Sequence, residues 1–188
     1  MPGPFRLVEG GALGKLRRGY HCADCDEPHG EMFHLSSWAP DPWTGPEQYE
    51  PNHALRLEGD FLSEDFCVLG GQYFFVRCVL PIPVHGMDEE FGFGCWGTLK
   101  RENFEIYVDH FDTGRVPPQA PFFSWLCNSL KPFDLREPLA CTMQPRAERQ
   151  RPHLHVTAPE HPLAAAQRDG ISPEEVLRYY TVHGHRPA

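Results

Sequence analysis

Apolar residues are densest over positions 65–80. Asp65-Phe66-Cys67-Val68-Leu69 and Gln72-Tyr73-Phe74-Phe75-Val76-Arg77-Cys78-Val79-Leu80 flank the pair Gly70-Gly71. Two glycines between strand-like runs supply the positive φ angles that a tight hairpin turn needs, so the segment predicts an antiparallel strand pair. Pro81 and Pro83 remove ladder donors and predict the end of the second strand. A third strand is expected from Phe91 to Leu99. Its Gly92, Gly94 and Gly97 predict a bulge, or close packing by something laid across it. Phe104, Tyr107, Val108 and Phe111 fall at i, i+3, i+4 and i+7, which makes 101–111 a helix with one apolar face. Further strands are expected at 31–36, Phe122–Cys127, Leu139–Gln144 and His153–Ala158. Two helices should follow. His161–Asp169 is stopped by Gly170, and Ser172-Pro173-Glu174-Glu175 reads as a capped helix start, with serine at the N-cap and proline at N1.

These elements predict an α+β fold: a single, mainly antiparallel β-sheet covered by helices, with a small N-terminal element resembling a zinc knuckle. Residues 1–19 read as a poorly ordered leader. Residues 20–188 read as one domain, with the knuckle at 20–30 and the sheet and helices at 31–183. The stretch from Trp38 to Asn52, rich in proline and aromatic residues, reads as a long loop.

Composition narrows the function classes. Among 188 residues, 40% are hydrophobic, enough for one buried core, while 20 Pro and 17 Gly favour turns over long helices. A formal net charge of −9 offers no basic face for phosphates, which argues against nucleic acid as a partner. No apolar run reaches the roughly 18 residues that read as a membrane-spanning helix, and none near the start resembles a signal-peptide core. Seven cysteines without a regular framework then read as reduced thiols, which points to the cytoplasm.

One motif carries recognisable chemistry. Cys22-Ala-Asp-Cys25 presents two thiols from a single turn, and His29 follows four residues later. Together they are candidate ligands for Zn2+. A structural zinc site wants four ligands. His21, His34, Cys67, Asp26 and Glu31 are the options for the fourth, and an empty turn is the alternative. A redox pair fits less well, because Asp24, Asp26 and Glu27 oppose thiolate formation and Pro28 discourages the helix that usually follows such a pair. Cys67, Cys78, Cys95, Cys127 and Cys141 lie in apolar strand patterns and read as small core residues. His153 and His155 alternate on a strand and share a face, as solvent-facing positions or as metal ligands. His183 and His185 sit near the C-terminus and read as part of a frayed end. Trp38, Trp43 and Tyr49 are candidate binding residues of the long loop, or else a lid folded back over the sheet. No phosphate-binding loop, serine nucleophile elbow or H-E-x-x-H motif is present, and no catalytic residue is assigned.

Several stretches resemble a bacterial family catalogued as domain of unknown function 2199. They are Cys22-x-x-Cys25-x-x-x-His29, Asp65-x-Cys67-Val68, Phe74-Phe75-Val76-Arg77, Leu80-Pro81-Ile82-Pro83-Val84-x-Gly86, Phe91-Gly92-Phe93-Gly94-Cys95-Trp96, Asn103-Phe104, Phe123-x-Trp125-Leu126-x-Asn128 and His161-Pro162-Leu163-Ala164. The resemblance spans about Tyr20 to Tyr180. Asp26 departs from it, standing where such proteins tend to carry glycine, although aspartate tolerates left-handed backbone better than most residues. The resemblance supports the fold reading and implies no reaction, cofactor or partner. The residues themselves favour a non-catalytic binding or adaptor module with a structural zinc knuckle and an unidentified protein partner. Two alternatives stay open: an immunity-type protein that masks a basic toxin, and a metal-dependent enzyme with an open coordination position at the same knuckle.

Overall fold

The computed structural model describes residues 11–133 and 137–188. Its first half runs α1 (Ala12–Arg18), β1 (Tyr20–His21), β2 (Pro28–His29), β3 (Leu35–Ser36), β4 (Phe61–Leu62), β5 (Phe66–Leu69), β6 (Tyr73–Ile82) and β7 (Phe91–Leu99). Its second half runs α2 (Arg101–Thr113), β8 (Phe122–Leu126), β9 (Leu139–Gln144), β10 (His153–Val156), α3 (Pro162–Asp169) and α4 (Pro173–Val182). The Gly70-Gly71 hairpin forms as predicted, with both glycines at positive φ and β5 antiparallel to β6. β6 ends within the expected Pro81-Ile82-Pro83 stretch, with Pro81 still paired. Pro81 sits opposite Gly92, and the strand continues to Ile82.

The sheet closes on itself. β6 pairs with β7 from Phe74↔Leu99 to Ile82↔Phe91, and β7 pairs with β8 through Gly97↔Leu126. β8, β9 and β10 follow as antiparallel neighbours. β10 then returns beside β6 in parallel through His153↔Val79, where the Val79 N–H donates to the Pro152 carbonyl at 2.9 Å. The expected single antiparallel sheet covered by helices is therefore incorrect: the core is a closed five-strand barrel, β6-β7-β8-β9-β10, with extra strands. β5 and β4 extend from β6, and β3 joins β7 in parallel. The α+β composition stands, but the architecture does not.

Barrel closure explains the small residues along these strands. A five-strand barrel has a narrow interior, and its inward positions alternate with outward ones. Cys78 pairs with Cys95, Ser124 pairs with Cys141, and all four are buried. A Cβ at Gly97 would lie 2.5 Å from Ser124 Oγ and 3.1 Å from Met143 Cε. Gly94 has a different task on the outer face, where its missing side chain admits β3: a Cβ there would lie 2.3 Å from Ser36 Oγ.

Helices cover the rest of the core. α2 buries Phe104, Tyr107 and Phe111, with Phe104 and Phe111 edge-on to Phe66 at centroid distances of 5.8 and 5.3 Å. Gly114 ends the helix in left-handed geometry, donating to His110 and Phe111 carbonyls. α4 starts as its sequence predicts, Ser172 Oγ accepting from the Glu175 N–H at 3.2 Å. It lays Tyr179 and Tyr180 against Phe91, and Tyr179 also against Phe93. Of the expected leader 1–19, residues 1–10 lie outside the described residues. Residues 12–18 form α1, which buries Leu16 and packs on α4.

Candidate metal centre

The turn between β1 and β2 meets the segment after α4 at the site. β1 and β2 pair antiparallel through Tyr20↔His29 and His21↔Pro28, enclosing a tight turn. Within it the Cys22 N–H donates to the Glu27 carbonyl at 3.0 Å, and the Asp24 N–H points at Cys22 Sγ at 3.4 Å. Asp26 has φ 58°, the left-handed geometry that glycine would adopt most easily. The segment after α4 is strapped against this turn. The Ala23 N–H donates to the Arg186 carbonyl at 2.8 Å and the Ala188 N–H to the His21 carbonyl at 2.9 Å. Asp24 Oδ2 accepts from the Arg186 N–H at 2.8 Å, while Tyr20 OH donates to the His185 carbonyl at 2.9 Å.

This strapping brings His185 to the knuckle. Ligand atoms of Cys22, Cys25, His29 and His185 all lie within 4.8 Å of one another. In a tetrahedral zinc site, bonds of about 2.0–2.3 Å separate the donor atoms by roughly 3.3–3.8 Å. Cys25 Sγ and His29 Nε2 are already 3.4 Å apart. Small side-chain adjustments would complete the set.

The surroundings suit such a set. Burial works against the Cys22 thiolate, but the backbone N–H groups of Cys25 and Asp24 and the Cys25 thiol outweigh it and hold the Cys22 thiol below its ordinary range. At Cys25 the Glu27 N–H favours the thiolate. The hydrogen bond with Cys22, burial and the Cys22 charge prevail and push this thiol up. The pair therefore releases its first proton readily and its second reluctantly, unless a cation takes up the charge. Burial, then the neighbouring His29 and His183, hold His185 below the usual histidine range, which keeps its ring neutral as a metal ligand must be. His185 Nδ1 is buried without a hydrogen-bond partner. An aromatic wall fixes the rings: His29 stacks on Phe33 at 5.0 Å and meets His185 edge-on at 4.9 Å, and Phe33 stacks on Tyr180 at 4.2 Å. Tyr180 OH locks that wall by donating to the Phe33 carbonyl at 2.7 Å and accepting from the Phe33 N–H at 2.9 Å.

None of the five fourth-ligand candidates from the sequence joins the cluster. His21 faces Asp26 at 3.7 Å. His34 lies over Gly92, Glu31 lines a separate hollow with Leu16 and Arg17, and Cys67 is buried with Leu62, Phe75 and Trp96. Burial pushes the Cys67, Cys127 and Cys141 thiols up to about 12, as befits core residues rather than ligands or nucleophiles. The residue that sequence reasoning missed is His185. Its only signal was indirect, since a well-capped α4 ending near position 182 is not a frayed terminus. The His153 and His155 rings lie 6.0 Å apart, and no third metal-ligating residue joins them among the described residues.

The long loop is seated on the outer face of the barrel. Trp43 and Tyr49 pack against a cluster of Leu62, Cys67, Phe75 and Trp96. Trp38 stacks on Tyr49 at 3.6 Å, and Arg77 Nη1 donates to Tyr49 OH at 3.1 Å beneath them. Trp38 remains 44% exposed.

A family model described as "Uncharacterized protein conserved in bacteria (DUF2199)" matches residues 21–171, and the chain belongs to that family. The match includes Cys22, Cys25 and His29 and ends before His185. No curated protein and no solved structure matches the chain. Among the described residues no helix is long and apolar enough to cross a membrane.

Proposed function

We propose that this family member is a non-catalytic binding module in which the turn after β1 and the segment after α4 are locked together by a structural Zn2+ held by Cys22, Cys25, His29 and His185. The convergence of those four ligand atoms within 4.8 Å carries the reading. Two thiolates and two imidazoles form a donor set that zinc favours in closed structural sites. A fourth protein ligand distinguishes this reading from the metal-enzyme one, which requires a position left to water. The ion would replace a hydrogen-bond partner that His185 Nδ1 lacks, and would favour the second thiolate, at Cys25, which the hydrogen bond with Cys22, burial and the Cys22 charge otherwise oppose. Its role is mechanical. The turn after β1 and the segment after α4 exchange only a few backbone hydrogen bonds, and a metal bonded to both would hold them as one unit.

Elemental analysis of protein purified without chelators tests the proposal. One zinc per chain is expected, falling to none in Cys22→Ser while the barrel keeps its circular dichroism spectrum. Metal-free protein after refolding with excess Zn2+ would refute it.

A further inference from the structure

Six large apolar side chains are exposed among the described residues: Trp38, Tyr73, Val116, Phe123, Trp125 and Val182. Tyr73, Phe123 and Trp125 line a single cavity of about 680 Å³, far from a random scatter. It lies on the outer face of β6, β7 and β8, bordered by Pro42 of the 38–52 loop. Phe75 and Thr98, paired across β6 and β7, form part of its wall, with Leu69 and Leu99 beside them. β8 alternates strictly between buried and exposed positions, which turns Phe123 and Trp125 outward together, edge-to-face at 5.1 Å. Lys100 is the one basic residue of the lining and makes no ion pair among the described residues.

Such a hollow suits a small molecule better than a protein face. Its volume falls within the roughly 300–1,000 Å³ of small-ligand pockets, and its lining is apolar with a few polar groups, as those pockets are. A stable protein interface needs about 800 Å² from each partner, whereas the other three exposed apolar residues lie outside this lining. We propose that the cavity binds an extended apolar chain ending in a single carboxylate, with the chain against Tyr73, Phe123 and Trp125 and the carboxylate at Lys100. Glu137 also lines the cavity and disfavours ligands with additional negative charge, as does the net charge of −9. The proposal names a ligand class for the binding module and rests on that reading, but not on the metal.

Decanoate below its self-association concentration is the probe, with 1-decanol as its neutral counterpart and titration calorimetry as the readout. One equivalent of decanoate is expected to bind. Trp125→Ala and Phe123→Ala, both at exposed positions, should each weaken it about tenfold. Lys100→Met should weaken decanoate about fivefold and leave 1-decanol unchanged. Absence of saturable binding, uptake of several equivalents, or variants that bind like the parent would each overturn the proposal. Self-association abolished by Trp125→Ala, without decanoate binding, would also overturn it and make the cavity a contact between copies. Repeating the titration on Cys22→Ser separates this outcome from the metal, since decanoate affinity should not change.

Discussion

Replacing His185 with alanine should strip the proposed zinc centre of its fourth ligand without touching the barrel. Structural zinc sites contribute on the order of 10–16 kcal/mol of apparent binding free energy from four ligands, so one ligand accounts for roughly 2.5–4 kcal/mol. That corresponds to a loss of about 10²–10³-fold in zinc affinity. The imidazole is half-buried among aromatic rings, so its removal also loosens the wall formed with His29 and Phe33. Competition with a chromophoric chelator measures the affinity, and amide exchange over 20–30 and 184–188 reports the coupling of the two segments. His183→Ala is the matched control. Its ring is two residues away and bonds through Nδ1 to the Tyr179 carbonyl at 2.8 Å, outside the cluster. If His185→Ala keeps zinc affinity within a factor of two, or if His183→Ala does equal damage, the fourth ligand has been misassigned.

Three other outcomes follow from the packing and the charges. Phe104→Ala removes a fully buried ring from the α2 contact with Phe66 and Phe74 and should cost about 3–5 kcal/mol in urea unfolding; an unchanged midpoint would contradict the helix assignment. Gly97→Ala places a methyl 2.5 Å from the buried Ser124 Oγ inside the barrel and should destabilise by about 1–3 kcal/mol, whereas an open sheet would tolerate it. His153 is pushed down to about 4, first by burial and then by Arg146 and His155. Because its charged form is disfavoured in the folded state, its contribution is present above the ordinary histidine range and is lost as pH falls from about 6.5 toward 4. His153→Gln should flatten that part of the stability–pH curve, and an unchanged slope would contradict the assignment.

Local chemistry was legible in the sequence, and long-range closure was not. The Gly70-Gly71 hairpin, the apolar face of α2 and the Ser172 cap are each encoded within a dozen residues, and each forms. The barrel depends on one parallel pairing, His153 beside Val79, between strands separated by most of the second half of the chain. No alternation within β10 specifies which strand it will meet. The interior cysteines, glycine and serine were the available hint, since small residues in otherwise apolar strands mark a narrow space. The metal cluster divided in the same way. Cys22, Cys25 and His29 lie within one turn and were readable from spacing, whereas His185 arrives only because α4 packs on Phe91 and α1 and delivers the following residues to the turn. The knuckle reading assigned the metal to one end of the chain. The proposed centre is instead a joint between the turn after β1 and the segment after α4.

X-ray absorption at the zinc edge, on protein loaded with one equivalent of metal, tests that joint most directly. Two sulfur neighbours at about 2.3 Å and two imidazole nitrogens at about 2.0–2.1 Å are expected in the parent protein, and one imidazole should disappear in His185→Ala while both sulfurs stay. A shell of two sulfurs, one imidazole and a light oxygen in the parent, unchanged by His185→Ala, would contradict the closed four-ligand centre and favour a metal site open to water.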